Sequence, residues 1–300
     1  GQGNSLDVVE FTAGIASEDV VVRRLSNDDL EITILGTSDK LTIQRFFSNY
    51  YRNSSWNTGT NSNAIEEFRF ADGTTWDIAA IKDKVRFIKG TAGDDSISGF
   101  GDQQNIITAG DGNDTMYAGS ALSDELYGEG GNDTLIGTWG SEKFDGGTGN
   151  DYMEGSAGDD IYVFGPGYGQ DVIYDSNQGQ GAGLDKVTFL AGIDPADVSV
   201  KRLSNSDLEI TFAGTTDKLT IERYFSNYYK NSSWNTGADS NVVEELHFAD
   251  GTIWTTATIK EKVRTMHGTE NGETLQGFGD QQNLLYAGAG DDALYAGGMS

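Results

Sequence analysis

The chain has 300 residues, and 47 Asp and Glu against 20 Lys and Arg leave a formal charge of −27, which excludes nucleic acid and an anionic membrane surface as partners and favours cations. With 41 glycines, only 2 prolines and a hydrophobic share of 36%, it reads as a repetitive solenoid with narrow cores, and no apolar run approaches the roughly 20 residues that would insert across a membrane. No cysteine is present, so disulfides and thiol catalysis are excluded.

Residues 6–86 read as β-rich. Alternation at Leu30, Ile32 and Ile34 and again at Leu41 and Ile43 predicts half-buried strands, broken by turns at residues 26–29, 36–39 and Asp72-Gly73. A short helix follows, which Asp77 can cap and along which Ile78, Ile81 and Val85 share one face. Between strands and helix lies an aromatic cluster of Phe46, Phe47, Tyr50, Tyr51 and Trp56. Two readings stay open for it. It can be core and cap of the β-rich segment, or an exposed patch that stacks on sugars or docks a neighbouring chain, since adjacent aromatics cannot all face inward in one strand.

Residues 128–163 then divide into four nine-residue units, GEGGNDTLI, GTWGSEKFD, GGTGNDYME and GSAGDDIYV. Each has Gly first and fourth, an acid sixth (Asp133, Glu142, Asp151, Asp160) and a large apolar residue eighth (Leu135, Phe144, Met153, Tyr162). Six Gly- and acid-rich residues favour a tight turn, and the last three favour a short strand with one inward side chain, so each unit is half a coil. Turns alternate between two edges and each stacks on the turn two units away. Carboxylates and backbone carbonyls converging from stacked turns are hard oxygen ligands that suit Ca²⁺ better than zinc or copper.

Extending this phase over residues 90–175 exposes an asymmetry. One edge carries the turns of Asp95, Asp114, Asp133, Asp151 and, more loosely, Asp171, spaced about one coil apart. The opposite edge is eroded: GFGDQQN has no acid in sixth place, AGSALSD lacks its inner glycine, GTWGSE offers Glu142, and only GSAGDD at Asp160 is intact. Several ions are therefore expected, mainly along the first edge.

Residues 1–122 recur as 179–300, so that Trp56 returns as Trp234. The aromatic cluster reappears as Tyr224, Phe225, Tyr228, Tyr229 and Trp234, and Thr255 takes the place of Asp77 at the helix start. In the second repeat block GTENGE puts Glu273 where Asp95 stood, weakening the first turn, whereas AGAGDD around Asp292 is intact. The expected organisation is a β-rich module at 1–89, a repeat block at 90–175, a second β-rich module at 176–267 and the start of a second block at 268–300. Because the sequence opens within a Gly-rich stretch, without Met, and stops inside a repeat, it is expected to be a piece of a longer protein.

The nonapeptides resemble the RTX repeat, G-G-x-G-x-D-x-U-x, and the segments LTIQRFF and IEEFRFADGTTW with their copies LTIERYF and VEELHFADGTIW resemble the haemolysin-type calcium-binding related domain. The resemblance implies an all-β chain in which a parallel β-roll alternates with β-rich modules carrying a short helix. It implies Ca²⁺ as the ligand and the exterior or surface of a bacterial cell as the location. The ligand set comprises the acids named above, Asp292 included, with the first, third and fifth positions of the four good turns. These are Gly90, Ala92 and Asp94; Ala109, Asp111 and Asn113; Gly128, Gly130 and Asn132; and Gly146, Thr148 and Asn150.

Catalysis is not expected. Every paired acid belongs to a periodic turn, His247 and His267 are replaced by Arg69 and Lys89 in the first copy, and neither an HExxH nor a GxSxG motif occurs. The favoured expectation is a structural array stiffened by Ca²⁺, as an adhesin stalk, surface-layer or filament component, whose partners are further modules of the same chain and neighbouring chains. The alternatives are a calcium-dependent folding and secretion module of a toxin or hydrolase whose active domain lies elsewhere, and sugar binding through Tyr50, Tyr51, Trp56, Tyr228, Tyr229 and Trp234.

Overall fold

The computed structural model describes residues 6–12, 14–25, 28–47, 65–119, 122–175, 183–203, 206–225, 243–278 and 282–296. The chain forms two compact units, residues 1–88 and 89–300. Among the described residues no helix is long and apolar enough to cross a membrane.

In the first unit, Val20–Arg24, Leu30–Ile34 and Lys40–Ile43 make an antiparallel sheet, and Glu67–Arg69 pairs in parallel with Val8–Glu10 and antiparallel with Thr75–Asp77. Helix α1, Ile78–Val85, closes the unit. The Asp77 side chain accepts the Ala80 N–H at 2.8 Å, satisfying a donor that a helix start leaves free. Ile81 and Val85 bury one helical face against Leu30, Ile32, Phe68 and Trp76. Phe46 and Phe47 belong to this core, packed edge to face with centroids 4.9 Å apart.

In the second unit, two sheets face each other as a β-roll. One runs Ser96–Ser98, Thr115–Tyr117, Thr134–Ile136, Tyr152–Glu154 and Gln170–Tyr174, and the other includes Ile106–Asp111, Glu125–Gly130, Lys143–Asp145, Ile161–Phe164 and Lys186–Phe189. All these neighbours pair in parallel, and every strand pairs with the one two places along the chain, as stacked half-coils require. The register puts eighth-position residues on one another. Met116, Leu135, Met153 and Ile173 form one file, and Leu126, Phe144, Tyr162 and Val187 the facing one. All eight are fully buried, which makes the core one side chain thick in each sheet.

No gap separates this roll from the second β-rich module. Lys218–Ile221 adds in parallel to Gln170–Tyr174, and Glu245–His247 adds in parallel to Lys186–Phe189. Leu208–Phe212, Val198–Arg202 and Ile253–Thr255 then extend the sheets in antiparallel fashion. Thus the boundary expected between residues 175 and 176 falls within continuous sheets. Helix α2, Thr256–Val263, buries Ile259 and Val263, but Thr255, expected to cap it, makes no side-chain bond to the helix backbone. Its hydroxyl instead faces the Thr258 hydroxyl at 3.4 Å. A new roll begins beyond α2, where Thr265–His267 pairs with Leu284–Tyr286 and Thr274–Gln276 with Ala293–Tyr295.

Candidate metal centres along the β-roll

Stacked turns need backbone that only glycine supplies at this separation. Gly131 has φ +124°, and a Cβ there would collide with the carbonyl oxygen of Gly112 in the preceding coil. Close stacking brings successive sixth-position acids into hydrogen-bond range. Asp114 Oδ1 accepts the backbone N–H of Asp95 at 2.7 Å, Asp133 Oδ1 that of Asp114 at 2.8 Å, Asp151 Oδ1 that of Asp133 at 2.8 Å and Asp171 Oδ1 that of Asp151 at 3.0 Å. Fifth-position side chains form a second ladder in the opposite sense. The Asn113 N–H donates to Asp94 Oδ1, Asn132 N–H to Asn113 Oδ1, Asn150 N–H to Asn132 Oδ1 and Gln170 N–H to Asn150 Oδ1, at 2.8–2.9 Å. Each acid is thus fixed by one oxygen.

The other oxygen decides the chemistry. Oδ2 of Asp114, Asp133, Asp151 and Asp171 is buried and accepts no hydrogen bond, and so is Oδ2 of Asp292 in the second roll. A buried carboxylate oxygen without a donor carries a desolvation cost of several kcal/mol unless a cation meets it. The first position shapes the same space: a Cβ on Gly128 would strike Asp133 Oδ2, and one on Gly146 would strike Asp151 Oδ2. Burial pushes the Asp133, Asp151 and Asp171 carboxyls up to about 6, about 7 and about 8, with neighbouring carboxylates adding to the rise. Such donors fit a hard divalent cation, and Ca²⁺ above others.

The opposite edge is built differently. Asp124, Glu142 and Asp160 are as buried, but protein donors meet their second oxygens. Asp124 Oδ2 accepts the Gly119 N–H at 2.8 Å, Glu142 accepts the Thr138 N–H at 3.2 Å and its hydroxyl at 3.1 Å, and Asp160 Oδ2 accepts the Ser156 N–H at 3.4 Å. The turn of Asp95 shares this device, because Thr91 donates its N–H at 2.6 Å and its hydroxyl at 2.8 Å to Asp95 Oδ2. Glu273 is held likewise by Thr269. Wherever threonine holds the second position, it closes on the acid four residues later.

Sequence reasoning missed this threonine, although GTAGDD, GTWGSE and GTENGE displayed it. It also missed Asp175, Asp185 and Glu244 as members of the opposite edge, where Asp185 Oδ1 accepts the Asp160 N–H at 2.8 Å and Glu244 Oε2 the Asp185 N–H at 2.8 Å. Asp160 and Asp185 are 25 residues apart, beyond the 18 to 20 of the other coils, which hid the phase. Tyr50, Tyr51, Trp56, Tyr228, Tyr229 and Trp234 lie outside the described residues.

The description "RTX calcium-binding nonapeptide repeat" matches residues 87–103, 101–121, 123–141, 136–171 and 267–298, over the stacked turns and orphaned oxygens just described. The chain carries RTX calcium-binding repeats over these stretches. Residues 29–80 and 207–258 match the "Haemolysin-type calcium binding protein related domain", one in each β-rich module. Among curated proteins, this RTX chain is similar to "Iron-regulated protein FrpA" of Neisseria meningitidis serogroup C, 32% identical over 123 residues, or 39% of the chain and 10% of the relative. The chain therefore spans about a tenth of that relative's length. Among solved structures it is similar to the extracellular lipase LipA of Serratia marcescens, with 17% identity and a TM-score of 0.32 over 73% of this chain and 31% of the other.

Proposed function

We propose that this RTX segment is a calcium-folded structural repeat of a large protein outside the cell or on its surface, stiffened by ions along one edge of its roll. Asp114, Asp133, Asp151, Asp171 and Asp292 anchor those ions, with backbone of the same turns completing their shells. The single observation that carries this reading is the file of buried, donor-free Oδ2 atoms that run along one edge of the roll. Calcium neutralises that file and lets the coils stack, so metal binding and folding are one event and an acidic, expanded chain becomes a rod. The near-identical return of residues 1–122 as 179–300 favours a stalk, surface-layer or filament role over catalysis.

The test is far-ultraviolet circular dichroism of the chain in millimolar calcium and in excess chelator. A gain of β-structure with calcium is expected; unchanged β-content would sink the mechanism. A second reading, a folding and secretion module serving an active domain elsewhere in the chain, is favoured by the small share of its curated relative that the chain spans. Extending the sequence outward separates the two: further copies of the period that carries Trp56 to Trp234 support the array, and a unique flanking domain supports the module.

A further inference from the structure

Where the roll meets the second β-rich module, the repeat pattern is broken in one position. Met153 pairs with Ile173 and Glu154 with Tyr174, so the next residues, Gly155 and Asp175, hold the same place in successive coils. That place belongs to a small residue in the earlier coils of this edge, Gly99, Ala118, Gly137 and Gly155 in turn, and in the last two a Cβ would point at the acid of its own turn: from Gly137 it would come within 3.0 Å of Glu142 Oε2, and from Gly155 within 2.5 Å of Asp160 Oδ2. Asp175 puts a carboxylate on that inward path.

The result is an interior cluster. Single carboxylate oxygens of Asp160, Asp175 and Asp185 lie within 4.8 Å of one another, and all three residues are fully buried. The Tyr162 hydroxyl donates to Asp175 Oδ2 at 3.0 Å, whereas Asp175 Oδ1, sealed from solvent, accepts nothing. An oxygen so placed, on a carboxylate that lies among two others, calls for a cation or for a shared proton. Ca²⁺–oxygen distances of about 2.3–2.6 Å let one ion meet three oxygens up to about 4.5 Å apart, so a closing of the cluster by no more than a few tenths of an ångström puts all three on one ion. Zinc, which favours nitrogen and sulfur ligands, and copper do not suit an all-oxygen set.

We propose that Asp160, Asp175 and Asp185 form a buried Ca²⁺ site inside the roll, distinct from the ladder on the other edge, which clamps the last coil to the second module. Asp160 precedes and enters the strand Ile161–Phe164, and Asp185 enters its neighbour Lys186–Phe189, so the ion ties a roll strand to the first module strand. The competing state is a cluster kept neutral by protons.

The two are separated by counting calcium bound to the full chain with native mass spectrometry, alongside thermal unfolding at fixed free calcium. Asp175→Asn keeps the shape and removes one charge, and Asp175→Gly restores the residue of the two coils before it, Gly137 and Gly155, guarding against a variant that fails to fold. Expected is the loss of one calcium ion per chain in either variant, with a lower calcium-loaded unfolding temperature, while Asp133→Asn removes ladder calcium and leaves the clamp ion bound. An unchanged calcium count in both Asp175 variants would overturn the proposal in favour of shared protons.

Discussion

A carboxylate in this roll is defined less by its own identity than by what meets its second oxygen. Asp133 and Glu142 are both buried and both sixth in a nonapeptide, yet Asp133 Oδ2 lacks a donor and Glu142 is closed by Thr138. Asp133→Asn is therefore expected to weaken calcium binding at least about tenfold, ~1.4 kcal/mol, and Glu142→Gln to leave the bound calcium count unchanged, as calcium titration checks. The same oxygens fix the pH response. Asp133, Asp151 and Asp171 titrate in the fold at about 6, about 7 and about 8, above the roughly 4 of an unfolded chain. Each contributes stability through its protonated form, fully present below about pH 4 and lost as pH rises through 6 to 8. In excess chelator the chain should therefore hold more β-structure at pH 5 than at pH 8, as circular dichroism would show. Calcium affinity should run the other way, rising with pH as the metal no longer competes with protons.

At the level of the half-coil, glycine decides how closely turns approach. Gly93 and Gly131 both hold the fourth position, but nothing lies within 4 Å of a Cβ on Gly93, in the first turn, whereas Gly131 abuts the Gly112 carbonyl with φ +124°. Gly131→Ala should destabilise the calcium-loaded roll by on the order of 3 kcal/mol, and Gly93→Ala by no more than about 0.5 kcal/mol, in denaturant titrations. The coil period was legible from the sequence, because an inward side chain every half-coil leaves an apolar residue at each eighth position. The helices were legible too, through Ile78, Ile81 and Val85 on one face. Capping was legible only for Asp77; Thr255 offers the same chemistry and leaves the backbone donors alone.

Over the whole molecule, the two copies of the β-rich module show what their neighbours do. Leu41 and Leu219 occupy equivalent positions in the two copies, and Leu41 is 41% exposed while Leu219 is fully buried. The strand Lys218–Ile221 is paired with Gln170–Tyr174, so the sheet of the roll continues through Leu219. Leu219→Ala should cost roughly 2–5 kcal/mol and lower amide protection in Gln170–Tyr174 as well, as hydrogen exchange would show, whereas Leu41→Ala should cost less than about 1 kcal/mol. The roll and the second module then unfold together.

The sequence by itself determined the phase of the coils, the file of buried residues they stack, and the edge on which the acids fall in step. These follow from local rules, a glycine-permitted turn and one inward side chain per half-coil, repeated until their register is forced. Only the tertiary structure decided which acids keep a free oxygen, because that depends on whether a donor of the same turn, such as Thr138, Gly119 or Ser156, folds back onto the carboxylate. It alone decided that Leu219 is buried and Leu41 is not, and that Asp175, 25 residues of chain bridging Asp160 and Asp185 around it, points into the roll. Those outcomes rest on contacts between residues far apart in the chain, which periodicity does not encode.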